Sequence, residues 1–98
     1  MKLENCVVAV LGGGSETALT LGRLLLKEKA KLILIDSSLD TFQNALTMLE
    51  EWKENIRLYA ADVSSQAEVR HALQYVINEF KKIDMIVDCT GTYKDWGL

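Results

Sequence analysis

The feature that most constrains this chain is an alternation. Four short apolar runs, CVVAVL (Cys6–Leu11), KLILID (Lys31–Asp36), IRLYAA (Ile56–Ala61) and DMIVDC (Asp84–Cys89), are separated by three stretches of helical period. The first stretch, from about Glu16 to Glu28, sets Ala18, Leu21, Leu24 and Leu25 on one stripe. The second, from about Leu39 to Lys53, repeats Leu39, Phe42, Ala45, Leu46, Leu49 and Trp52 at helical spacing. The third opens with Ser65 and Glu68 spaced as a capping box and continues with Val69, Ala72, Leu73, Val76, Ile77 and Phe80. A β-α-β-α-β-α-β order with short connections predicts an α/β domain, with a parallel sheet wound by right-handed crossovers. The first and last runs are nearly continuous in apolar character, as expected of strands covered on both faces.

In a doubly wound sheet of order 3-2-1-4, the first two helices share one face and the third covers the other. Strand 4 then lies at an edge, where an apolar sequence such as MIVDC invites a partner strand. Cys6 and Cys89 fall at opposite ends of that sheet, too far apart for a disulfide. The whole of residues 1–98 reads as one domain, with an irregular tail over 90–98.

Composition narrows the function classes. Hydrophobic residues make up 49% of the 98, enough to bury a core, and the net charge of −3 is the wrong sign for a nucleic-acid or anionic-membrane surface. No apolar run approaches the roughly 18 residues of a membrane span, and the N-terminus lacks the pattern of a signal peptide. The two cysteines have no metal-ligand spacing, so the expected setting is the reducing cytoplasm and no metal is expected.

Chemistry concentrates at the carboxyl ends of the expected strands. Gly12, Gly13, Gly14 and Ser15 join strand 1 to helix 1, where free backbone N–H groups and the positive end of the helix dipole would face an anion. Glycine lets a pyrophosphate approach the backbone closely, although three glycines also suit an ordinary tight turn. The G-x-G-x-x-G fingerprint ends here on Thr17, and no Gly-Lys-Ser/Thr follows to make a P-loop. Asp36 closes strand 2 about 20 residues further on, where a carboxylate accepts both hydroxyls of an adenosine ribose and repels a 2′-phosphate. Its plainer reading is a helix cap, a role Ser38 fills equally well. Asp62 and Val63 follow strand 3. They suit an adenine amino group and ring, and Asp62 equally suits an Asx-turn leading into the Ser65 cap.

Taken together, these motifs resemble the short-chain dehydrogenase/reductase family from Val7 to about Gly91. The glycine loop, Asp36, the Asp62–Val63 pair and DMIVDCTG, which is similar to that family's DxLVNNAG, carry the resemblance. It implies a Rossmann-type fold that binds NAD(P), with Gly12, Gly14, Ser15, Asp36, Asp62, Val63 and Gly91 as cofactor residues and the chain as the N-terminal cofactor half. Asp36 favours NAD over NADP.

The sequence also departs from the family. Against the family loop T-G-x-x-x-G-x-G, Leu11 replaces the threonine, and Glu16 and Ala18 replace the later glycines. Asp88, Cys89 and Thr90 replace the asparagines and alanine of NNAG. Glu16 sets a carboxylate beside the expected pyrophosphate and weakens binding. Tyr93 stands directly beside Lys94 rather than in the family's Tyr-x-x-x-Lys, so the catalytic pair is missing. His71 reads as a surface residue, and Trp52 and Trp96 as packing residues.

The expected function is therefore an NAD-binding module of an oxidoreductase, inactive alone. Its partner across the strand 4 edge is a second copy or a C-terminal half. The alternative is a non-catalytic interaction module, or a trimmed or engineered fragment, pairing through that same edge. There Glu16 serves as an internal anion at the helix start, worth about 0.3–1 kcal/mol.

Overall fold

Each of the four apolar runs forms a strand in the computed structural model, which describes residues 3–37 and 39–90. The strands are β1 (Val7–Leu11), β2 (Lys31–Asp36), β3 (Ile56–Ala60) and β4 (Met85–Asp88). The helices are α1 (Glu16–Lys27), α2 (Leu39–Met48) and α3 (Gln66–Phe80), with a 3-10 segment over Glu50–Asn55. All three strand pairings are parallel and the sheet order is β3-β2-β1-β4, as the element order requires. Every carboxyl end therefore points to one edge of the sheet.

The strand pleat splits the core in two. Val8 and Val10 of β1, with Leu32 and Leu34 of β2, face α1 and α2 through Ala18, Leu25, Leu26, Phe42 and Ala45. Val7, Ala9, Leu11, Ile33 and Ile35 face α3 through Val69, Ala72, Leu73 and Val76. Two helices thus cover one face and one helix the other. The central strands β1 and β2 carry the continuous apolar runs that this double cover allows.

Strand β4 is different. It was expected to be covered on both faces, yet its residues alternate between half-buried and exposed. Met85 and Val87 pack toward the α1 side. Ile86 points to the other face, where it stays partly exposed beside Leu73 and Ile77 of α3. Among the described residues no strand pairs with the outer edge of β4, and its Ile86 face is partly exposed.

Helix α2 is also shorter than its apolar period implies. It ends at Met48 and continues as 3-10 turns, with Trp52 outside helical geometry at φ −114° and ψ 17°. Glu50 and Glu51 follow with no basic residue in the last turn of α2, placing negative charge at the negative end of the helix dipole. Leu49 is fully buried, and Trp52 packs half-buried against the same core, so the apolar spacing survives in the tighter winding.

The capping of α3 is half of a capping box. Ser65 Oγ accepts from the Glu68 amide, but Glu68 Oε1 takes the Asp62 amide rather than returning to Ser65. The Ser65 amide donates instead to the Asp62 carbonyl.

Candidate functional site

Gly12 turns the chain out of β1 at φ +76°, a left-handed conformation that glycine adopts without steric penalty. Its neighbourhood is tight as well. A Cβ there would lie 3.2 Å from the backbone of Cys89 and Thr90. Gly13 has an ordinary φ but no room at all, since its Cβ would lie 2.7 Å from Leu34 Cβ. The third tight glycine is not in the loop. A Cβ at Gly22 of α1 would lie 2.9 Å from Leu32 Cδ2, so glycine there lets the helix settle on β2. The glycine that brings helix and strand together thus lies further into α1 than the fingerprint places it, and Thr17 and Ala18 stand at the fingerprint positions.

Most of the loop's amides are already engaged. Gly12 and Gly13 both donate to the Ile35 carbonyl, at 2.9 and 3.2 Å, and Ser15 donates to the Gly12 carbonyl at 3.2 Å. Ser15 is the N-cap of α1, and its Oγ accepts from the Ala18 amide at 3.1 Å. The Gly14 amide donates to Asp36 Oδ2 at 3.1 Å. This leaves the first two helical amides, those of Glu16 and Thr17, pointing out of the N-terminus of α1 as donors for an anion. The sequence places the anion over the glycines themselves. The structure moves the open donors one turn along, to the residues where the family pattern breaks. The Glu16 side chain is exposed to solvent beside them.

Asp36 sits where the spacing puts it, at the end of β2 and half-buried. It was expected to be left free by a Ser38 cap. Instead its Oδ1 accepts from the Ser37 amide at 2.7 Å while Oδ2 holds Gly14. A carboxylate offers about four lone-pair directions, so two acceptor positions remain for a diol. Ser38 lies outside the described residues.

Asp62 and Val63 lie at the same end of the sheet, after β3, but turn to local tasks. Asp62 Oδ1 takes both the amide and the hydroxyl of Ser64, at 2.9 and 2.6 Å, making the Asx-turn. Val63 packs half-buried against the α3-side core. At the end of β4, Asp88 Oδ1 likewise takes the amide and hydroxyl of Thr90, which sets Thr90 against Gly12. The Cys89 amide donates to the Leu11 carbonyl at 2.8 Å. Partial burial pushes the Cys89 thiol up from its ordinary value, and Asp88 adds to the shift, so the thiol stays protonated at neutral pH. Cys6 and Cys89 form no disulfide. Gly91, Tyr93, Lys94 and Trp96 lie outside the described residues.

The structure thus brings Gly12, Gly13, Gly14, Ser15, Asp36 and Thr90 together at the carboxyl edge of β1, β2 and β4, with Asp62 beyond β2. Sequence reasoning missed Gly13, Gly22 and Thr90, whose parts depend on partners from distant strands. It also passed over Asp84, at the opposite edge. Its Oδ2 accepts from the Val7 amide at 2.7 Å and pairs with Lys82 Nζ at 3.0 Å. Among the described residues, no group of three His, Cys, Asp or Glu side chains could hold a metal. Nor is any helix long and apolar enough to cross a membrane. His71 is exposed on α3 beside a shallow depression lined by Tyr59 and Ala67.

Comparison with known proteins gives concordant results. A family model described as short chain dehydrogenase matches residues 6–97. Short-chain dehydrogenase reductase 3c of Arabidopsis thaliana is 25% identical over 91 residues, covering 93% of this chain and 34% of that protein. Ipsdienol dehydrogenase of Ips pini is 27% identical over 95 residues, covering 97% and 35%. Among solved structures, NAD+-bound xylitol dehydrogenase superposes with a TM-score of 0.79 at 27% identity, over 88% of this chain and 33% of that one. The chain spans about a third of the length of the curated relatives it matches.

Proposed function

The chain belongs to the short-chain dehydrogenase family, and from that premise we propose that it is the NAD-binding half of an NAD-dependent oxidoreductase. The observation that carries this reading is the bond between the Gly14 amide and Asp36. It sets a ribose acceptor and a phosphate loop side by side. The residues present fit a dinucleotide. Gly12 keeps the positive φ of a close-approach turn, the Glu16 and Thr17 amides open toward an anion, and Asp36 retains acceptor positions for a diol. The NAD+ held by the xylitol dehydrogenase relative supports the same assignment.

In this reading the Glu16 and Thr17 amides take the pyrophosphate. Gly12, Gly14 and Ser15 shape the turn beneath it, and Asp36 accepts the adenosine ribose and turns away a 2′-phosphate. Asp62 and Val63 flank the adenine. Gly91 is a further cofactor residue, as the family resemblance implies. When bound, the nicotinamide supplies or accepts a hydride. The tyrosine and lysine that handle the accompanying proton in this family are not supplied by Tyr93 and Lys94, so the 98 residues hold the cofactor and do not turn over substrate by themselves. The open edge of β4 is the seam for a further strand, from a second copy or from the remainder of a longer chain. A reducing, cytoplasmic setting accords with two cysteines that form no disulfide.

Calorimetric titration tests the proposal. Heat of binding with NAD, and weaker or no heat with NADP, is expected. Absence of heat with either at millimolar concentration, with the far-UV circular dichroism of an intact fold, overturns it. The second reading, a non-catalytic module, draws on Glu16, a carboxylate at the first turn of α1 where the phosphate would sit.

A further inference from the structure

Asp36 does more than close a strand. The Gly14 amide reaches across 22 residues of sequence to its Oδ2, while the Ser37 amide fixes Oδ1 from the adjoining residue. The other loop amides have their own backbone acceptors, Gly12 and Gly13 on the Ile35 carbonyl and Ser15 on the Gly12 carbonyl. Gly14, half-buried in the middle of the turn, is tied down by a side chain alone. An amide left half-buried without an acceptor is costly, so the loop's conformation leans on this carboxylate. The carboxylate in turn is held at both oxygens and cannot rotate freely.

We propose that Asp36 is a positioning residue that couples the phosphate loop to the ribose position through its bond to the Gly14 amide. The inference rests on the cofactor reading above and deepens it. A residue that only accepts a ribose is silent toward a ligand without ribose hydroxyls. A residue that also sets the loop is felt by that ligand too.

Two variants separate the roles. Asp36→Asn and Asp36→Ala both remove the charge, so they alter repulsion of a pyrophosphate equally, but only asparagine keeps an oxygen, which turned toward Gly14 still accepts that amide while the exposed Ser37 amide passes to water. The probes are adenosine diphosphate and its 2′,3′-dideoxy analogue. Coupling requires the dideoxy analogue to bind the alanine variant about 3- to 10-fold more weakly than the asparagine variant, the worth of one hydrogen bond. Equal dideoxy affinities for the two variants overturn the proposal and leave Asp36 a ribose acceptor only. Hydrogen exchange at the Gly14 amide gives a ligand-free readout. Protection in the wild type and asparagine variant, lost in the alanine variant, is expected; protection unchanged in all three overturns the coupling. If the wild type binds neither nucleotide, the cofactor reading fails, and the exchange comparison still decides whether Asp36 sets the loop.

Discussion

A methyl group added at Gly13 has nowhere to go. It would sit 2.7 Å from Leu34 Cβ and 3.0 Å from Leu34 Cα, so the backbone of β2 or of the loop must shift. Gly13→Ala is expected to cost about 1–3 kcal/mol in urea unfolding, the range for overpacking a tight contact. Glu16 makes the opposite case. Its side chain is exposed, so its repulsion of a bound pyrophosphate is screened to about 1 kcal/mol, or some fivefold in affinity. Glu16→Gly should therefore bind NAD a few-fold more tightly, while the helix loses a favourable charge and about 0.5–1 kcal/mol of stability. Unchanged affinity in calorimetry removes repulsion as the reason for any weakness of the site. At this scale the sequence showed where the glycines and Asp36 lie, but not what each does. Gly13 is a packing residue because of Leu34, and Asp36 is engaged because of Gly14. Neither partner is near enough in sequence for any local pattern to reveal it.

Elements were more legible than their ends, because hydrophobic period fixes which residues face the core and end effects decide where an element stops. All four strands and three helices follow from the runs and stripes, yet α2 stops early at Met48, where Glu50 and Glu51 meet the helix dipole. The third helix keeps its cap while Glu68 turns to Asp62. The start of β4 is held by Asp84, whose amide donates to the Val7 carbonyl while its carboxylate accepts from the Val7 amide. The bond from Val7 first, and Lys82 second, hold the Asp84 carboxyl below its ordinary range. A carboxyl depressed in the folded state contributes stability at pH above its unfolded value, near 4, and that contribution is lost as pH falls through the lower folded value. Asp84→Asn should therefore unfold more readily than the wild type at pH 7, and the difference should shrink as the pH is lowered below about 4. Thermal unfolding across pH 2–7 checks this, and a pH-independent difference would sink it.

The two edges of the sheet are protected unequally. On β3, Arg57 is exposed and sets its guanidinium 5.8 Å over the Phe80 ring, with Glu79 at 3.5 Å. A charged residue of this kind discourages addition of another strand. On β4, Ile86 is 37% exposed and Ile77 of α3 is 40% exposed, around a depression of about 280 Å³ that also takes in Leu73, Ile83 and Met85. The element order showed that β4 would be an edge. It did not show that α3 would leave Ile86 partly exposed, because that depends on where the helix axis settles over β1 and β2. Pairing with another strand is therefore expected at the edge of β4, whether the chain acts as a cofactor half or as a non-catalytic module. Sedimentation of the 98-residue chain should therefore show self-association at tens to hundreds of micromolar. Ile86→Lys, which puts a charge on the open face without touching the nucleotide edge, should shift it to monomer with NAD affinity unchanged. A wild-type chain that stays monomeric throughout that range rules out pairing between copies.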